Sequence, residues 1–262
     1  MKNLSFLALL IITMYSCKEE VTIENTQASK DHLIAENIFH YITNNIEAAF
    51  NPNQNVLCPN YTTNNTISTD QDTIIVDFGE GLTTCINNNN IESGKIIVIY
   101  DGNYYSSGTK ITSTFDNYYI NNSLIQGSLT IENKGRNDND NMMFDIEVND
   151  GIINTSDGII NWEAELEKEW YGGEATSEIS DDKYKITGEA NGIARNNNGF
   201  KVNIEDPLKV KLECLPHCII KEGSAEITPD GYEERIINYG DSICDCRFEI
   251  DLNENSFSVF ID

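Results

Sequence analysis

Beyond about residue 73 the chain is a succession of short apolar or alternating runs separated by clusters of turn residues. Glycines introduce the runs: Gly94 precedes Lys95-Ile96-Ile97-Val98-Ile99-Tyr100, Gly108 precedes Thr109 to Phe115, and Gly127 precedes Ser128-Leu129-Thr130-Ile131. The same arrangement recurs at Gly158, Gly188, Gly199 and Gly223. Between the runs lie Asp101-Gly102-Asn103, Asn121-Asn122, Asp150-Gly151 and Asn196-Asn197-Asn198-Gly199, residue types that suit the positive φ of hairpin turns. Ile111 to Phe115 and Phe144 to Val148 alternate with period two, as in a sheet with one buried and one wet face. Uneven glycine spacing argues against a fixed-period solenoid. The pattern predicts a mainly β fold: an antiparallel β-meander forming a curved sheet or a two-sheet sandwich.

Ahead of the strands the apolar period changes. Ala35, Ile38, Phe39, Ile42, Ile46 and Ala49 fall on one side of a 3.6-residue repeat, with Ser29 or Asp31 as caps and Pro52 just past the end. This predicts one N-terminal amphipathic helix over 29–50, packed on the sheet. A membrane-lying helix would carry basic residues on its polar face, whereas this one carries Glu36 and Glu47. The expectation is one domain over 29–262, with the β body at 58–262.

The first residues carry a different signal. Lys2 is a basic n-region, Leu4 to Met14 an apolar stretch too short to span a bilayer, and Ser16-Cys17 a small residue before a cysteine. Residues 1–16 read as a lipoprotein signal peptide, Cys17 as the lipidated residue and 17–28 as a polar tether. Lys18, Glu19 and Glu20 resemble the export signal of Bacteroidota surface lipoproteins. The implied location is the outer membrane, lipid-anchored and facing the cell exterior.

Composition narrows the partners. With 17 basic and 43 acidic residues the formal net charge is −26, one unit more negative once Lys2 is removed. Nucleic acid is excluded as a partner class, and a hydrated, soluble surface is expected. Six cysteines remain beside Cys17: Cys58, Cys85, Cys214, Cys218, Cys244 and Cys246. An even number in an exported chain argues for disulfides, with fifteen connectivities open. Cys58 and Cys85 are read as one pair, and the couples Cys214/Cys218 and Cys244/Cys246 as cross-linked to each other, since Cys-x-Cys bridging is strained. Such a link removes roughly 3 kcal/mol of loop entropy in the chain-entropy model. The rival reading is a zinc or copper site from these four cysteines and His217, at spacings that match no strong zinc signature.

Catalytic signatures are few. His32 and His40 lie on the helix about 80° apart, a poor ligand pair, and are expected at its solvent-facing or interfacial positions. The sequence lacks Gly-x-Ser-x-Gly, His-Glu-x-x-His, P-loop and dinucleotide motifs. Glu163, Glu165, Glu167 and Glu169 would share one face of an extended segment, where mutual repulsion favours solvent over a tuned acid–base pair. Asn137 to Asn141 lacks the glycine and glutamate of an EF-hand loop and reads as a polar hairpin tip. Tyr104, Tyr105, Tyr118, Tyr119, Trp162, Trp170 and Tyr171 are read as core or sheet-face packing, or as a platform for stacking sugar rings. Asp72-Thr73-Ile74 and Asp241-Ser242-Ile243 resemble a Bacteroidota O-glycosylation acceptor.

The Cys17-Lys18-Glu19-Glu20 start, Ile74 to Gly79, Gly94 to Ile97, Thr114 to Tyr119, and Tyr239-Gly240 with Cys244-Asp245 together resemble a flavobacterial surface lipoprotein family. The resemblance covers most of residues 58–262. It implies a surface lipoprotein with an all-β body and brings no activity or catalytic residues. The expected function is a non-enzymatic binding or envelope accessory protein, without cofactor, whose partner is a surface glycan or an outer-membrane β-barrel protein. The rival readings are a glycan-active enzyme with paired carboxylates and a purely structural envelope protein.

Overall fold

The computed structural model describes residues 26–51, 58–64, 71–81, 85–87, 89–176, 178–215 and 218–261. The signal segment, Cys17, Lys18, Glu19 and Glu20, most of the tether, and His217 lie outside these residues. Helix α1 (Gln27–Phe50) is followed by β1 (Asn60–Asn64), β2 (Asp72–Asp77), β3 (Cys85–Asn87), β4 (Asn90–Tyr100), β5 (Lys110–Ile120), β6 (Ser123–Arg136) and β7 (Met142–Thr155). Then come β8 (Gly158–Gly172), β9 (Lys183–Ile193), β10 (Gly199–Lys211), β11 (Ile220–Pro229), β12 (Arg235–Asn238), β13 (Arg247–Leu252) and β14 (Asn255–Phe260).

All fourteen strands belong to one antiparallel sheet, in the order β1-β2-β4-β5-β6-β7-β8-β9-β10-β11-β12-β13-β14, with β3 also paired to β4. The meander is realised as one curved, unclosed sheet rather than a sandwich. Its curvature follows from simple geometry. β2 and β11 are eight strand spacings apart, about 38 Å at ~4.8 Å per strand, yet both touch α1, whose diameter with side chains is about 10–12 Å. A sheet reaching one helix from both sides must wrap around it.

The glycines help make the bend. Gly158 and Gly199 do open β8 and β10, but Gly94, Gly127, Gly188 and Gly223 lie inside strands. Register shifts fall at Ser93/Lys95 and Gln126/Ser128, around Gly94 and Gly127, and β10 is bulged on both sides of Asp206, opposite β11. Gly223 has φ 114°, and a Cβ there would sit 2.8 Å from Leu208 Cα and from Pro207 O. Only glycine permits that approach, and bulges add bend and twist to a strand.

Alternation along the strands holds as predicted. On β8, Trp162, Ala164, Leu166, Lys168 and Trp170 point inward, while Glu163, Glu165 and Glu167 are exposed and Glu169 half-buried. Helix α1 fills the trough. Ala35, Phe39, Ile42, Ile46 and Ala49 are buried as expected, with Ile38 partly so. The expected polar face is buried too: His32 is 1 % exposed, Glu36 1 % and His40 5 %. This corrects the solvent-facing expectation for both histidines, because a sheet that wraps the helix covers most of its circumference. Ser29 and Asp31 lie inside the helix, not at its cap.

The hairpin turns at 121–122, 156–157 and 194–198 lie at one end of the sheet, as antiparallel alternation requires. Asp31 meets Arg195 there and Glu47 meets Tyr104 at the opposite end, so α1 runs from the first end to the second. Among the described residues no helix is long and apolar enough to cross a membrane.

Candidate functional site

The six cysteines join two by two. Cys58–Cys85, Cys214–Cys244 and Cys218–Cys246 have Cα separations of 5.8, 5.1 and 5.2 Å, within the range disulfides span. The pairing expected from the couples is the one found, and it occupies the thiols that a metal site would need.

Three buried polar clusters line α1. At its N-terminal end Asp31 accepts hydrogen bonds from Arg195 N and Nε, both 2.8 Å, and an ion pair from Nη2 at 2.6 Å. One residue on, Trp162 Nε1 donates to His32 Nδ1 at 3.2 Å, and His32 Nε2 lies 3.2 Å from the Tyr239 hydroxyl. An indole N–H only donates, so His32 Nδ1 is an acceptor and the ring is neutral. Burial, and then the nearby His40, lowers the His32 pKa to about 3. Glu36 Oε1 is 3.6 Å from His32 Nε2, while its Oε2 is buried without a hydrogen-bond partner; burial raises its pKa to about 8. Glu36 therefore carries a proton at neutral pH.

On another side of the helix Glu92 gathers four donors. Oε1 accepts from Tyr118 at 2.6 Å and Asn45 at 3.1 Å, and Oε2 from Asn87 at 3.1 Å and Tyr41 at 3.4 Å. Burial raises its pKa to about 7, against the opposing pull of these bonds. Near the C-terminal end Lys168, Glu47, Tyr104 and Tyr184 form a third cluster.

The surface offers a groove of about 640 Å³ where β10 bulges beside β11 and β12. Asp206, Lys209, Glu222, Ser224, Asn238 and Ser242 are among its lining residues. Glu222 is held by Lys209, Ser242 and Lys211, which, Lys209 first, bring its pKa down to about 2. Lys209 and Glu222 are ion-paired there, whereas Asp206 accepts only from the Ser224 hydroxyl, at 2.8 Å. The groove can hold a polar ligand.

No family model, curated protein or solved structure matches the chain.

Of the aromatic residues singled out from the sequence, Tyr104, Tyr118, Trp162 and Trp170 are buried. Phe39 stacks on Trp162 at 5.3 Å, and Tyr104 stacks on Phe144 at 5.0 Å. Tyr119 and Tyr171 are half-buried and Tyr105 is exposed. The four buried rings are core packing, and the seven form no common exposed face. Asn137 to Asn141 form the β6–β7 hairpin tip, closed by Asn137 N donating to Asn141 O at 3.0 Å. Glu165 faces Glu147 on one side and Glu189 on the other, an acidic outer stripe. Among the described residues no group of three or more metal-type side chains is placed to hold an ion. Thr73 lies within β2, whereas Ser242 sits in an exposed loop.

The sequence reading missed Glu92, Lys168 and the Asp31–Arg195 pair. Lys168 carried a signal: it takes an inward position between Leu166 and Trp170 in the alternation of β8. Glu92 and Arg195 flank turns and had none.

Proposed function

We propose that this chain is a lipoprotein anchored through Cys17 to the outer membrane, exposed by Lys18-Glu19-Glu20, which acts as a non-enzymatic binding protein for another envelope component. The observation that carries the reading is the cysteine pattern. Three disulfides use six of the seven cysteines, and the seventh is Cys17, placed after the apolar segment where lipidation needs it. A disulfide-stapled sheet around a buried helix is a rigid body suited to presenting a surface.

The first-choice partner is an outer-membrane β-barrel protein. Ile159 and Ile193 support it: they are 48 % and 45 % exposed and are diagonal neighbours on the outer face of β8 and β9. A surface glycan is the second reading, favoured by the hydrogen-bonding side chains of the β10–β12 groove.

Replacing Cys17 by serine tests the anchor. The expected result is loss of metabolic acyl labelling and release of an otherwise folded protein from the membrane fraction, because the body holds no spanning helix among its described residues. Unchanged membrane association together with unchanged labelling would refute anchoring at this residue.

A further inference from the structure

Lys168 and Lys221 are the buried lysines among the described residues. Lys168 projects from β8 into the trough with 4 % of its side chain exposed. The Phe144 ring lies 4.7 Å from Nζ on one side and the Tyr184 ring 4.6 Å on the other. Between the rings Nζ meets the carboxylate of Glu47, from the last turn of α1. Tyr104 donates to Glu47 Oε1 at 2.6 Å and accepts from Lys168 Nζ at 3.3 Å. Tyr184 donates to Glu47 Oε2 at 3.3 Å. Both carboxylate oxygens thus have hydroxyl donors, and the amine sits against the carboxyl group in a nearly dry, aromatic enclosure.

We infer that Lys168 and Glu47 condense to a side-chain amide, a covalent cross-link between α1 and β8. In water an ammonium carboxylate is a stable salt, because hydration holds both charges. Burial removes that hydration, and the pair gains by passing a proton from Nζ to the carboxyl group, leaving a neutral amine against a carboxylic acid. Burial lowers the Lys168 pKa to about 7, with Asp182 opposing the shift. The Nζ lone pair then attacks Glu47 Cδ. The Tyr184 hydroxyl faces Oε2, on which negative charge develops, as an oxyanion-hole donor, and Oε1, on the Tyr104 side, is the departing oxygen. The second Nζ proton passes to the departing oxygen through the Tyr104 hydroxyl, which bonds both groups. One Nζ–Cδ bond forms, one Cδ–O bond breaks and one water leaves; no oxidation state changes and no co-reactant is needed.

Two further observations fit. Fixing both reactants on packed elements supplies the high effective concentration that amide formation between unactivated groups requires. Glu47 is 13 % exposed, which leaves the water a route out while the rings limit its return. The bond also serves the fold: the three disulfides tie residues 58–85 and 214–246, and none reaches the middle strands or α1.

Peptide mapping of the purified full chain, reduced, alkylated and digested with trypsin, decides it. Lys30, Lys95, Arg136, Lys168 and Lys183 set the relevant cuts. The cross-link predicts one branched species, Asp31 to Lys95 joined to Asn137 to Lys183, uncut after Lys168 and one water lighter than its parts. Recovery of Asp31 to Lys95 and Asn137 to Lys168 only as separate peptides of full mass overturns the inference. Lys168→Arg keeps the charge with a far poorer nucleophile and should yield only separate peptides; a joined species persisting in that variant would place the bond elsewhere and also overturn it. The anchor at Cys17 plays no part in this readout.

Discussion

Truncating Trp162 to alanine is expected to cost about 3–5 kcal/mol, the range for deleting a large aromatic side chain from a packed core. Trp162 is 1 % exposed and stacks on Phe39 at 5.3 Å with an interplanar angle of 19°. Its Nε1 also supplies the bond that fixes His32 in its neutral form. The opposing β7 residue is Gly151, where any Cβ would meet the Phe39 ring at 3.0 Å, so the strand has no side chain with which to fill the void. Trp162→Ala therefore opens a cavity and strips a buried acceptor of its donor at once. Urea denaturation of the full chain should show a much lower midpoint, whereas Tyr105→Ala, at an exposed position, should stay within about 0.5 kcal/mol of the parent. A Trp162→Ala loss below about 1 kcal/mol would mean that α1 is not seated in the sheet as described.

Acid should unseat the helix next. His32 and His40 have pKa values lowered from 6.5 to about 3 and about 4, burial being the larger cause for each. The unfolded chain binds protons at both positions below 6.5 while the folded chain does not. The histidines' contribution to stability is therefore complete above about pH 6.5 and falls as the pH drops toward 4. Each histidine adds a slope of about 1.4 kcal/mol per pH unit, so the two together approach roughly 3. His40→Gln should remove about half of that slope. Glu36 acts in the opposite sense: its pKa, raised to about 8, gives stability that is present below about 4.5 and lost as pH rises through 8. That loss offsets one histidine's slope between about pH 4.5 and 6.5, so Glu36→Gln should flatten the alkaline limb and steepen the acid limb. Denaturation midpoints between pH 4.5 and 9 measure all three, and a parent and a His40→Gln variant with the same acid limb would return that histidine to solvent.

How far the chain announced this structure depends on the physics of each element. Period-two alternation on β7 and β8 identified inward and outward faces correctly, because neighbouring strands impose that period locally. The linking of the Cys214/Cys218 couple to the Cys244/Cys246 couple followed from their spacing, whereas which cysteine meets which, Cys214 with Cys244 and Cys218 with Cys246, did not. Glycine positions were legible but their meaning was not: Gly94, Gly127 and Gly223 mark bulges inside strands, and a bulge is defined by the partner strand's register. The helix was found from its apolar stripe, yet His32, Glu36 and His40 misled. A 3.6-residue period separates faces, but only the tertiary fold decides whether the second face meets water. Glu92 was invisible for a related reason, since its donors Tyr41, Asn45, Asn87 and Tyr118 come from three distant elements.

On the proposed function, the anchored body engages a partner at the cell envelope. Photo-crosslinking in the native host, with the reactive residue at Ile193 on the outer face and a tagged full-length chain, addresses it most directly. The prediction is reproducible capture of one outer-membrane β-barrel protein, identified by mass spectrometry, and loss of that capture when Ile159 is replaced by a charged residue. Capture of only lipid and abundant bystanders at Ile193, unchanged by the substitution, would contradict the claim for this face.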